Sequence, residues 1–152
     1  MPVSARRQLE GFLDRYTDEI AAATRRALRD LRRRVPGATE LVYDNYTALA
    51  IGFGPSDRAS EAVFSIAAYP RWVTLFFLQG AGLEDPHGVL KGSGSRVRHI
   101  VLTSPQVIAS PAVQRLIAQA LRAAKVSIDP RRRRSLLIKS VSARQRPRRP
   151  ST

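Results

Sequence analysis

Leu9, Phe12, Leu13 and Tyr16 recur at i, i+3, i+4 and i+7, which predicts one apolar stripe on a short helix. Ser4 precedes this stripe as an N-cap. Thr17 predicts a second cap, with Asp18 and Glu19 in the first turn, where the helix dipole favours anions. Ile20, Ala27, Leu28 and Leu31 form the apolar side of this second helix. Arg32, Arg33 and Arg34 suit its C-terminal end, and Pro36-Gly37 stops it.

The period then changes from helical to alternating. Thr39 to Tyr43 reads as a strand, Asp44-Asn45 as a turn and Thr47 to Phe53 as a second strand. Leu49, Ile51 and Phe53 alternate with Ala48, Ala50 and Gly52, so one face is bulky and the other small enough for a helix to pack closely. Gly54-Pro55-Ser56-Asp57 makes a turn, and Ala62 to Tyr69 a third strand. The run Trp72 to Leu78 is apolar but for Thr74, the pattern of a strand buried on both faces. Short links between these strands favour antiparallel neighbours.

A long loop follows, with glycines at 80, 82, 88, 92 and 94, and then a fifth strand from Arg96 to Thr103. Ser110-Pro111 opens a helix whose apolar stripe is Val113, Leu116, Ile117, Ala120, Leu121 and Ala124. Ser135 to Ser142 regains strand character as an edge strand. The expected fold is therefore α+β: an antiparallel sheet of about five to six strands, with N-terminal and C-terminal helices packed on one face. One domain is expected over residues 1–142. The basic tail 143–152 lacks the apolar content to fold and is expected to be disordered.

Charge changes the picture at the C-terminus. The 152 residues carry 26 Lys+Arg against 12 Asp+Glu, a net charge of +14. Nine of the basic residues lie at or after Arg131, where there are no acids, so the rest of the chain is only mildly cationic at +5. There is no cysteine, which removes disulfides, thiolate nucleophiles and sulfur metal sites and makes the cytoplasm the expected compartment. No segment approaches the roughly 20 apolar residues that span a bilayer, and no apolar run follows Arg6 and Arg7 as a signal would require.

Three stretches hold candidate chemistry. Lys91-Gly92-Ser93-Gly94-Ser95-Arg96, with Arg98 beyond it, has the parts of an anion cradle. Glycines let backbone N–H groups turn inward, serines donate, and Lys91, Arg96 and Arg98 bring charge. A plain glycine-serine turn has the same composition, and the spacing is not that of a P-loop. Tyr43 and Tyr69 lie at strand ends, where a hydroxyl reaches a cavity or solvent; Tyr46 shares this placement. Glu84, Asp85 and His87 make a weak oxygen-imidazole set that reads equally as a polar turn, so neither a metal nor a cofactor is expected. His99, between Arg98 and Ile100, reads as a structural histidine, because no nucleophile or orienting carboxylate pairs with it. Arg131, Arg132, Arg133 and Arg134, together with Arg148 and Arg149, could neutralise phosphates non-specifically.

The segments Y-D-N-Y-T-A-L-A-I-G-F-G-P, Y-P-R-W-V-T-L-F-F-L-Q-G-A-G-L-E-D-P, L-K-G-S-G-S-R-V-R-H-I and I-K-S-V-S-A-R-Q-R-P-R-R-P resemble the YdhG-like family of uncharacterised bacterial domains, over roughly residues 40 to 150. Some relatives are described as frataxin-like iron chaperones. The resemblance thus implies an α/β sandwich with helices on one face of an antiparallel sheet. It names no activity. Iron chaperones of that kind use acidic patches, whereas the first helices here are arginine-rich, with Asp14, Asp18 and Glu19 the main acids. The expected function is a non-catalytic binding module for a small anionic ligand or acidic partner at the glycine loop. The alternatives are an iron chaperone and weak nucleic-acid association through the arginine-rich tail. An enzyme has the least support: there is no cysteine, no G-x-S-x-G and no usefully spaced carboxylate pair.

Overall fold

The computed structural model describes residues 3–151. Arg7 N–H donates to Ser4 Oγ at 3.2 Å and starts α1 (Ala5–Leu13). Ile20 N–H donates to Thr17 Oγ1 at 3.2 Å and starts α2 (Asp18–Arg34). Gly37, at φ +83, then turns the chain into the sheet. The strands are β1 (Thr39–Asp44), β2 (Leu49–Gly54), β3 (Phe64–Ala68), β4 (Val73–Phe77), β5 (Arg98–Val101) and β6 (Ser135–Val141). Between the last two lie α3 (Pro105–Ala109) and α4 (Pro111–Ala123). The short α3 was not anticipated. The cap and proline expected at the second start are present, with Val113 N–H donating to Ser110 Oγ.

The sheet order is β5-β4-β3-β2-β1-β6, and it is mixed rather than antiparallel throughout. Strands β1 to β5 pair antiparallel, as their short links dictate, but β6 runs parallel to β1. The cause is the return path. The chain leaving α4 passes Gly37, where a Cβ would overlap the Asp129 carbonyl. It therefore enters β6 at the end where β1 begins, and Ser135 pairs with Thr39.

Register decides the faces. Leu49, Ile51 and Phe53 stand opposite Ala68, Ile66 and Phe64. These six join Leu13, Leu28, Leu31, Leu116 and Ile117 in one core cluster, so the helices cover the bulky face. The small face, expected to receive a helix, instead admits the segment 55–62: a Cβ on Gly54 would lie 2.9 Å from Ala62 Cα. Phe76, expected in the core, is half-buried on that second face beside His99. Trp72 stands just before β4 and is exposed, so the apolar run is not buried along its whole length.

Two buried carboxylates tie layers together. Glu40 of β1 accepts two bonds of 2.8 Å from Arg32 of α2, the bidentate geometry that suits a guanidinium. Asp44, at the other end of β1, accepts from Arg148 at 2.8 Å and from Gln145 at 2.9 Å. The tail, expected to be disordered, is therefore held down. Ser142 N–H donates to Asp44 O, Arg146 N–H donates to Tyr46 O, and Arg148 is among the buried residues. Apolar content was the wrong criterion for this segment, because a buried ion pair with backbone bonds around it takes the place of a core. The Arg148 guanidinium also lies 5.9 Å from the centre of the Tyr16 ring. Burial pushes the Tyr16 hydroxyl above its ordinary pKa, against the opposing field of Arg148. That hydroxyl donates to Ala68 O and accepts from Leu49 N–H, joining the α1–α2 link to β2 and β3.

Candidate functional site

Register places Thr39, Gly54, Phe64, Phe77 and Arg98 at one end of the sheet. Beyond Phe77 the chain enters a single 3-10 turn, Gly80–Gly82, which only glycine at its first position permits. A Cβ on Gly80 would lie 2.6 Å from Arg98 Cβ and 3.0 Å from Phe77 Cβ. The turn is fixed by Ala81 N–H donating to Arg96 O at 2.9 Å. Next, Gln119 of α4 holds the loop: Glu84 N–H donates to its Oε1 at 2.7 Å, and its Nε2 donates to Glu84 O at 3.0 Å.

This pinning opens a groove of about 670 Å³ between the 55–62 segment, the 3-10 turn and the end of α4. Val63, Phe77, Leu83 and Ala120 make an apolar floor, while Glu61, Gln79, Arg96 and Lys125 supply polar groups at its rim. The volume falls within the roughly 300–1,000 Å³ typical of small-molecule clefts. Arg96 and Lys125 are exposed and, among the described residues, are in no ion pair. Glu61 is partly engaged, accepting from Ser56 Oγ at 2.6 Å. Lys125 and Gln79 were not foreseen, since a lysine just past a helix carries no signal until the fold sets it in the lining of the same groove as Arg96.

The cradle expected from Lys91 to Arg98 is divided. Arg96 and Ser95 line the groove just described. Lys91 pairs its backbone with His99 and lines a second, shallower groove with Ile100, Ser104 and Val107. Arg98 is consumed locally: its guanidinium donates to Gly94 O at 2.6 Å and to Val97 O at 2.9 Å, so carbonyls rather than amides converge inside the loop. Gly92 takes φ +116, and Gly92, Ser93 and Gly94 are exposed. Among the described residues no backbone amide from Gly92 to Val97 donates within the chain.

Tyr43 and Tyr69 lie at the opposite end of the sheet and do not reach the groove. The Tyr43 hydroxyl is buried and, among the described residues, has no hydrogen-bond partner, and Tyr69 stacks on Trp72. Asp85 uses both oxygens to accept from the Val89 and Leu90 amides, which makes the Glu84-Asp85-His87 stretch a polar turn. Among the described residues no three histidine or acidic side chains gather as a metal site.

The two arginine groups also separate, lying at opposite ends of β6, which is about 20 Å long. Arg131 pairs with Asp129, Arg132 donates to Pro55 O, and Arg134 lies 3.9 Å from Glu40, while Arg133 is exposed. At the other end Arg149 is exposed, but Arg148 is buried against Asp44 and is removed from any phosphate-binding role. Among the described residues no helix is long and apolar enough to cross a membrane. No family model, curated protein or solved structure matches the chain.

Proposed function

We propose that the protein is a non-catalytic binding module whose groove takes a small anion with an apolar body, such as an aliphatic or aromatic carboxylate. The observation that carries this reading is the pairing of two unspent cations, Arg96 and Lys125, with an apolar floor. A carboxylate between them gains charge-assisted bonds, and its hydrocarbon part covers Val63, Phe77 and Leu83. Glu61, which also lines the groove, selects against higher negative charge. On this reading the chain is a YdhG-like domain, its layers follow the frataxin-like plan, and it works in the cytoplasm.

Thermal unfolding with octanoate, benzoate or inorganic phosphate tests the proposal. The carboxylates raise Tm in proportion to the logarithm of their concentration, and phosphate does so less. No shift with either carboxylate, or an equal shift in the Arg96→Ala/Lys125→Ala variant, contradicts it.

A further inference from the structure

The opposite end of the sheet carries a different surface. Register aligns Asp44, Leu49, Ala68 and Val73, so the β1–β2 turn (residues 45–48) and the β3–β4 turn (residues 69–72) project from that end together. With a strand spacing of about 4.8 Å, the two turns stand roughly 10 Å apart. Each presents an aromatic ring to solvent: Tyr46 is 49% exposed and Trp72 46%. Tyr69 backs the Trp72 ring, with centroids 5.2 Å apart and planes 27° apart, which steadies a flat exposed face.

The tail brings charge to the same place. Arg146 N–H donates to Tyr46 O at 2.8 Å, and Arg149 Nε donates to Arg15 O at 3.2 Å. Arg71, Arg144, Arg146 and Arg149 are exposed, and among the described residues none is in an ion pair. Two of the acids at this end are engaged, Asp44 being buried against Arg148 and Asp14 bound to Arg25, whereas Asp18 and Glu19 in the first turn of α2 are exposed and, among the described residues, in no ion pair. The buried Arg148–Asp44 pair thus holds the exposed Arg144, Arg146 and Arg149 of the tail at the end of the sheet that carries the two exposed rings.

We infer that this end binds single-stranded nucleic acid, with bases stacking on Tyr46 and Trp72 and phosphates lying along Arg71, Arg144, Arg146 and Arg149. Rings about two strands apart, with cations running beyond them, suit a chain of several nucleotides. A duplex keeps its bases stacked inside and cannot use such rings. The surface lies a sheet length away from the groove and does not depend on it.

Trp72 is the single tryptophan, so the surface carries its own reporter. The test is titration of the full chain with labelled uridine and thymidine oligomers of about 12 nucleotides, followed by anisotropy and tryptophan emission. Binding with quenched emission is expected, weakening with salt at a slope near −0.7 for each phosphate neutralised. Tyr46→Ala and Trp72→Ala each weaken it about tenfold. Arg144→Ala/Arg146→Ala flattens the salt slope by about 1.4, while Arg122→Ala, at an exposed arginine of α4, leaves oligomer affinity unchanged. Uridine and thymidine oligomers binding alike marks contact through base and phosphate, and tighter uridine binding marks an additional 2′-hydroxyl contact; both support the inference. It is overturned by an absence of binding, by equal affinity for a duplex or a mononucleotide, or by binding that ignores Tyr46 and Trp72 and is lost only when Arg131 to Arg134 become alanine.

Discussion

Arg148 Nη2 lies 2.8 Å from Asp44 Oδ1, and both side chains are 1% exposed. This contact joins the last turn of the chain to the end of its first strand, 104 residues earlier. Breaking a buried pair from one side strands the other charge, a loss of about 3–5 kcal/mol. Arg148→Ala is therefore expected to lower stability by that amount in urea unfolding, although Arg15 still reaches Asp44 at 3.3 Å. Arg149→Ala, on an exposed neighbour, stays within about 0.5 kcal/mol. Equal effects from the two variants would show that the tail is not latched by Arg148.

Tyr16 allows a prediction with a pH dependence. Tyr16→Phe removes the bonds to Ala68 O and Leu49 N–H, leaving buried backbone groups unpaired at a cost of about 1–3 kcal/mol. Because the folded pKa of the hydroxyl is raised above 10.0, its contribution is complete below that pH and is lost as pH climbs towards the folded value. The stability gap between wild type and Tyr16→Phe is expected to narrow above about pH 10 in chemical denaturation. A constant gap from pH 8 to 11 would contradict this account.

Periodicity carried most of the fold. The caps Ser4, Thr17 and Ser110 each accept the expected amide, and the alternation in β2 fixes which face takes the helices. The direction of β6 was not legible, because it depends on where α4 ends in space rather than on any residue in β6. The tail misled for a related reason: Arg148 and Asp44 look like ordinary surface charges until the fold buries them together. At the site, Arg96 was legible as a cation in a glycine loop. Its partner Lys125 was not, and Arg98 reads identically in sequence yet spends its guanidinium on its own loop.

Gly80 and Gly82 separate necessity from habit within one turn. A Cβ at Gly80 would collide with Arg98 and Phe77 side chains, whereas a Cβ at Gly82 meets nothing within 4 Å. Gly80→Ala is expected to cost about 1–3 kcal/mol through overpacking and to shift the Arg96 segment. Gly82→Ala stays within about 0.5 kcal/mol and leaves the groove intact. Thermal melts of the two variants decide it, and equal melting temperatures would contradict the packing assigned to Gly80.

The groove is tested most directly by amide chemical shifts during titration with octanoate. Saturable shifts centred on Gln79, Ala81, Gly82, Ser95, Arg96 and Lys125, and absent from the Arg96→Ala/Lys125→Ala variant, are the predicted result. Shifts confined to other surfaces, or none at millimolar octanoate, would contradict the assignment of this groove as a binding site.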